Sequence, residues 1–303
     1  MIVTTIETLQ ETVIVSCAPY SKYSVIRSRR LGYNPWRSNV FLNLLLKRDS
    51  MLSVQENMDK ALQLLRSSIR RGHIDLIVLP ELAFTGYLFD DKDDIRELME
   101  SNDGPTFQWC TRVAAEFGCM VAAGYPLKTK DEKWYNAMCL VSKEGREVIT
   151  YSKHFLYEPD YRWAEEGPGF VVADIPELGG KVGFGICMDV NPKDFVDSTL
   201  YEFAHFHKSS GTFLLIMLCN WVDADPEDKD DSAISTQAYW CSRLKPLLHE
   251  RVKAVFCNRV GREKDTTFVG GSCVLNLETY PKSIVGCMKK REEGVLVVNV
   301  DRT

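Results

Sequence analysis

A cysteine, a glutamate and a lysine each stand at the end of an apolar run in this 303-residue chain. Cys187 closes the run KVGFGIC, Glu81 follows LIVLP, and Lys153 follows VITYS. A nucleophile at a strand-to-turn junction is pushed clear of the sheet edge, toward whatever fills the cleft. A thiol attacks only as the thiolate, and its ordinary pKa is roughly 8.5, so a base or a cation beside it must raise the ionised fraction. Glu81 can take the thiol proton if its site is dry, because burial raises a carboxyl pKa. Lys153 can place positive charge where an oxyanion develops, and the main-chain N–H of Met188 can complete the oxyanion hole. Such a set attacks a carbonyl or nitrile carbon and hydrolyses a C–N bond through a thioester. Singly, each residue is ordinary: Cys187 a core thiol, Glu81 a cap for the next turn, Lys153 a solvated strand end. The three together carry the argument.

The elements that must position them follow from the hydrophobic pattern. ETVIVSCAP (11–19) reads as a first strand. Residues 53–72 read as an amphipathic helix with Ser53 as N-cap, Gly72 as stop, and Val54, Met58, Ala61, Leu62, Leu65 and Ile69 on one face. GPTFQWCTRVAAEFG predicts a second helix, with Pro105 in its first turn and Phe107, Cys110, Val113, Ala114 and Phe117 inward. Strands follow at CMVAAGYP, WYNAMCLVS, REVITYSK, FVVADIP and KVGFGIC. A helix near 194–206, the strand TFLLIMLC and a long helix over 231–250 come next. AVFCN, GGSCVLNL and EGVLVVNV close the chain as strands. Helices alternating with buried strands predict layered α/β with a mixed sheet.

Composition narrows the function. Hydrophobic residues make up 45% and charged residues 26%, the profile of a globular protein. The net charge of -5 argues against a general nucleic-acid binder, which would carry a basic footprint. The opening MIVTTIETLQ lacks the features of a secretory leader, and FLLIMLC (213–219) is too short to span a bilayer. No two of the ten cysteines are spaced as CxxC, so reduced core thiols in a cytoplasmic protein are expected, with no zinc site. His205 and His207 lack acidic or thiol partners at ligand spacing and read as ordinary histidines. The segment 20–50 stands apart, with seven Lys/Arg against the single acid Asp49. It reads as a basic insertion: a solvated surface loop, sequence foreign to the native protein, or a dock for an acidic partner or membrane surface.

LPELAFTGY, YSKHFLY and GICMD resemble the three catalytic boxes of the nitrilase superfamily of carbon–nitrogen hydrolases. GYP (124–126), YNAMCLVSKEGREVITY, CNRVG, FVGGSCVLN and EEGVLVVNVD extend the resemblance over nearly the whole chain. It implies a single domain over 1–303, an αββα sandwich in which 20–50 is atypical. It further implies Glu81 as general base, Lys153 as oxyanion stabiliser, Cys187 as nucleophile, and no metal or organic cofactor.

Within the superfamily, LPELAFTGYLF, DGPTFQ, KHFLYEPDYRWAEEGPGF and ICMDVNP are similar to the fungal-type N-terminal amidases of the N-degron pathway. That branch deamidates Asn and Gln at protein and peptide N-termini, without nucleic acid or membrane partners. A substrate α-ammonium needs a carboxylate, and Asp189, two residues past the nucleophile, is placed by sequence to supply it. Asp160, Glu165, Glu166 and Asp223 are further candidates. Relatives also place a second carboxylate after the lysine, which leaves Asp160, Glu165 and Glu166 open here. Asn220 and Trp221 follow a strand end and are read as cleft-lining, with plain core packing the alternative for Trp221. Two rivals stay in view: an amidase for small ω-amides or ureido acids, and a non-catalytic binding member.

Overall fold

The computed structural model describes residues 38–43, 53–69 and 74–299. Its strands in chain order are β1 (Ser38–Asn43), β2 (Ile74–Val78), β3 (Met120–Lys128), β4 (Trp134–Val141), β5 (Glu147–Ser152), β6 (Val171–Ile175) and β7 (Gly180–Ile186). They continue as β8 (Leu214–Cys219), β9 (Lys253–Asn258), β10 (Val260–Glu263), β11 (Thr266–Val269), β12 (Cys273–Asn276), β13 (Ile284–Cys287) and β14 (Gly294–Val298). The helices are α1 (Val54–Ser68), α2 (Lys92–Ile95), α3 (Pro105–Phe117), α4 (Glu202–Ser209) and α5 (Ile234–Arg243). Two six-stranded sheets form, ordered β14-β1-β2-β3-β4-β5 and β13-β12-β9-β8-β7-β6, with β10 and β11 as a separate hairpin.

Alternation along the strands builds the layers. Leu76 and Val78 of β2, Met120 and Ala122 of β3, and Met138 and Leu140 of β4 face the second sheet, packing with Phe184, Ile216 and Val255. Their neighbours Ile77, Val121, Ala137 and Cys139 face outward onto Met58, Leu65, Trp109 and Val113 of α1 and α3. The second sheet carries α4 and α5, through Phe203, Trp240 and Leu244. The result is the expected αββα sandwich, with both faces of each central strand apolar.

Helix ends follow their caps. Ser53 caps α1 and completes a reciprocal box with Glu56, as the sequence reading required of Ser53. The helix stops at Ser68, with Ile69 extended and Gly72 outside the described residues. Ser67 turns its hydroxyl back onto the Leu64 carbonyl, a competitor of the helix ladder. In α3 Trp109 takes the core position expected of Phe107, which is half-buried.

Two helices are shorter than expected. Asp194 (φ +53°) and Phe195 (φ +55°) lie in the left-handed region, so the helix expected near 194–206 begins only at Glu202. The long helix over 231–250 is reduced to Ile234–Arg243, because Pro246 has no N–H and its ring clashes with the preceding turn.

The run 11–19 lies outside the described residues, as does most of 20–50. Part of that basic segment, Ser38–Asn43, is β1, hydrogen-bonded antiparallel to β14 and parallel to β2. Among the described residues no helix is long and apolar enough to cross a membrane.

Candidate active site

Four strands deliver their ends to one place. β2 runs parallel to β3, and β5 shares that direction because β3, β4 and β5 alternate. β7, β8 and β9 are parallel in the second sheet. Glu81 lies just past β2, Lys153 directly follows β5, Cys187 follows β7, and Asn220 follows β8. Carboxyl ends of parallel strands are where α/β folds place ligand chemistry.

Lys153 is fully buried between two carboxylates. Its Nζ donates to Glu81 Oε1 at 2.7 Å and to Asp160 Oδ2 at 2.6 Å. Asn136 Nδ2 donates to the same Glu81 oxygen at 2.7 Å and to Asp160 Oδ1 at 3.0 Å. The other Glu81 oxygen accepts the main-chain N–H of Asn220 at 2.7 Å, and Tyr157 N–H donates to Asp160 at 2.9 Å. Burial opposes charge on Lys153, but Asp160 and Glu81 override it and hold the ammonium well above its ordinary pKa. Desolvation raises Glu81, Lys153 draws it back, Asp160 pushes it up again, and the net is a raised carboxyl.

Cys187 opens a short turn after β7 and adopts φ +46°, a left-handed conformation that costs a non-glycine residue of order 1–3 kcal/mol. The register pairs Ile186 with Leu218, so Cys187 stands beside Cys219 at the strand ends. Tight backbone crossings fix the neighbouring loops. Gly124 N–H meets the Pro80 carbonyl at 3.2 Å and Ala83 N–H meets Gly124 O at 2.8 Å, holding the Glu81 turn on β3. Gly167 donates to Lys153 O at 2.8 Å, so close that a Cβ there would sit 2.2 Å from Ser152 O.

Among the carboxylates left open after Lys153, only Asp160 reaches the lysine. Glu165 and Glu166 are exposed, and Glu166 pairs with Lys193 at 2.9 Å. Asp189 is a correction. It is fully buried and accepts four protein donors: His154 N at 3.1 Å and Phe155 N at 2.7 Å on one oxygen, Tyr151 OH at 2.8 Å and Ile186 N at 2.8 Å on the other. A carboxylate has about four lone-pair sites, so Asp189 is spent on tying the lysine loop to the cysteine turn and has none left for an ammonium. Position in sequence placed it beside the nucleophile; the direction of its side chain is what the sequence did not reveal.

Met188 is buried in the same turn, and its carbonyl takes Asn191 N–H at 2.9 Å. Both side-chain polar atoms of Asn220 are buried and lack a partner among the described residues. Trp221 is half-buried, its ring 5.7 Å from both Tyr239 and Trp240, and its main-chain N–H donates to Asn258 Oδ1 at 2.7 Å. His207 is core: packed by Phe203 at 4.3 Å, donating to or accepting from Thr212 at 3.1 Å, and held neutral by burial with a pKa of about 3. His205 on the same helix is exposed.

Sequence reasoning missed Asn136, Tyr87 and the Arg259–Glu263 pair. Asn136 left a signal, a lone amide inside the otherwise apolar buried strand WYNAMCLV. Arg259 donates to Glu263 at 2.9 Å and to Leu82 O at 2.8 Å, and the Glu263 carboxylate takes the N–H groups of Tyr87 and Leu88 at 3.0 Å. This buried pair pins the loop that follows Glu81.

The carbon-nitrogen hydrolase family matches residues 48–195 of the chain. The protein N-terminal amidase of Schizosaccharomyces pombe is 32% identical over 273 residues, covering 82% of this chain and 95% of that protein. The protein N-terminal amidase of Saccharomyces cerevisiae is 29% identical over 169 residues, covering 50% of this chain and 37% of that one. A crystal structure of N-terminal amidase with an Asn-Glu-Ala peptide superposes with a TM-score of 0.77 at 18% identity, covering 88% of this chain and 97% of that chain.

Proposed function

Because the chain belongs to the carbon–nitrogen hydrolase family, the nitrilase superfamily, we propose that it hydrolyses the side-chain amide of N-terminal Asn or Gln, yielding Asp or Glu and ammonia. The observation that carries amide hydrolysis is the buried lysine shared by Glu81 and Asp160 within electrostatic reach of Cys187. Likeness to N-terminal amidases over most of the chain supports the finer choice of substrate.

In this reading Glu81 takes the thiol proton and the sulfur attacks the amide carbon. Two of the three Lys153 N–H groups are spent on carboxylates, and the third meets the oxyanion together with Met188 N–H. The tetrahedral intermediate collapses, the C–N bond breaks, and Glu81 returns its proton to the departing ammonia. Water then attacks the thioester, Glu81 again taking a proton, and the acid leaves with the thiol restored. Asp160 and Asn136 orient the ammonium and the base.

The test uses peptides beginning with Asn, Gln and N-acetyl-Asn, read by mass spectrometry for amide-to-acid conversion. The free peptides are converted, the acetylated one is not, and Cys187→Ala abolishes the reaction. Conversion of small ω-amides or carbamoyl compounds alone would replace the substrate class; wild type and Cys187→Ala behaving alike on every amide would remove catalysis.

A further inference from the structure

We propose that the Tyr87 hydroxyl touches the substrate, accepting a hydrogen bond from the nitrogen of the scissile amide as that nitrogen departs. The inference rests on the amidase reading above and adds a residue to it.

Tyr87 is 1% exposed, and its hydroxyl has no hydrogen-bond partner among the described residues. Buried polar groups are nearly always paired, so a buried phenol without a partner needs an explanation. It lies within the electrostatic reach of Asp160, Glu81, Cys187 and Tyr157, the groups of the reaction itself. Two neighbours pack on the ring, with Lys153 Nζ 5.8 Å from its centroid and the Phe268 ring edge-to-face at 6.1 Å. Its main-chain N–H is fixed on Glu263 at 3.0 Å. The hydroxyl is therefore preorganised, and what it lacks is a second group to meet.

The chemistry of the pocket selects the nitrogen end of the amide. The oxygen end already has its donors in Lys153 and the main chain. A primary amide nitrogen carries two N–H groups that need acceptors once water is excluded. The Tyr87 hydroxyl oxygen carries two lone pairs with no protein donor on them among the described residues, so it can accept one of those N–H groups. Burial pushes its pKa well up, and the charges of Asp160 and Glu81 add to that, so the phenol keeps its proton. In the collapse of the intermediate the C–N electron pair passes to nitrogen and Glu81 supplies the proton. Tyr87 neither gains nor loses one; it holds the leaving group in line.

Tyr87→Phe removes the hydroxyl and keeps the ring. Steady-state kinetics are compared on an amide and on the methyl ester of the same acid, whose leaving group has no N–H, with thermal unfolding as the check of the fold. The expected result is a fall in kcat/KM on the amide of about tenfold to a hundredfold, the size of one hydrogen bond lost in a dry site. The ester is expected to change far less. An unchanged amide rate overturns the proposal, and so does an equal loss on amide and ester, which would mean that Tyr87 acts only through the fold. The amide is whichever the wild-type chain hydrolyses best, so an inert N-terminal Asn peptide sinks the substrate reading and leaves the Tyr87 comparison standing.

Discussion

Lys153 keeps its charge at zero exposure because Glu81 and Asp160 share it. An ammonium in a dry site is unfavourable until carboxylates compensate it. Two carboxylates around one ammonium leave the cluster acidic, and the excess appears as a raised Glu81, mainly through desolvation and further through Asp160. In the proposed reaction Glu81 must be ionised to take the thiol proton. Activity therefore falls with decreasing pH at a midpoint above the ordinary 4.5 of a glutamate. Asp160→Asn removes the neighbouring charge that raises Glu81, so the acid limb of the kcat/KM profile moves to lower pH. The variant also frees Lys153 from one of its two anchors, and kcat falls by about 10²–10³, as for loss of one preorganised electrostatic partner. An acid limb that stays in place in Asp160→Asn would show that Asp160 does not act on the base. At this scale residue type was legible and direction was not. Asp160 and Asp189 are both aspartates near a catalytic box, yet one lies on the lysine and the other is consumed by four donors that tie two loops together.

Strand ends set these directions, and they were the most legible part of the chain. Continuous apolar runs that stop at Pro80, Ser152 and Ile186 fix where the chain leaves each sheet, and so where Glu81, Lys153 and Cys187 emerge. Local signals failed where tertiary packing chose the backbone. Asp194 and Phe195 adopt left-handed conformations that no pattern announces, and the β10–β11 hairpin is too short to show alternation. Close crossings between elements were invisible as well, since glycine in a strand marks one without naming its partner. Gly124 of β3 is such a crossing. A Cβ there would lie 2.6 Å from Leu82 N, 2.7 Å from Glu81 Cα and 2.8 Å from Pro80 O, all of them main chain. Nothing on that list can swing aside. Gly124→Ala must displace the turn that aims Glu81, so it is expected to destabilise by about 1–3 kcal/mol, read from the urea midpoint. Activity should fall further than stability, by about a hundredfold, because a shift of about 1 Å in a reacting group has that effect. A variant with lowered stability and normal kcat would show that the turn re-seats itself.

At the scale of the molecule, the described residues form two main sheets whose parallel strands bring their carboxyl ends together, so the site is divided between halves that must keep register. Glu81 and Lys153 come from one sheet, Cys187 and Asn220 from the other. The core between them is apolar and fixes distance without fixing lateral position. Directed contacts supply the rest: Asn220 N–H on Glu81, Asp189 between the lysine loop and the cysteine turn, and the Arg259–Glu263 pair. That pair sits where β9 passes into β10, yet it holds Leu82, Tyr87 and Leu88 of the first sheet's loop. Both side chains are almost wholly buried, so removing one charge leaves the other stranded. Glu263→Gln keeps size and an acceptor oxygen but discards the charge, and is expected to cost about 3–5 kcal/mol in urea unfolding. Arg259→Met combined with Glu263→Gln strands no charge, so the double variant should be more stable than Glu263→Gln alone. Its catalysis should remain poor, because the Leu82 carbonyl has lost its donor and the Glu81 turn one of its ties to the second sheet. A double variant no more stable than the single one would place the energy of this corner in the hydrogen bond to Leu82 and not in the compensation of charge.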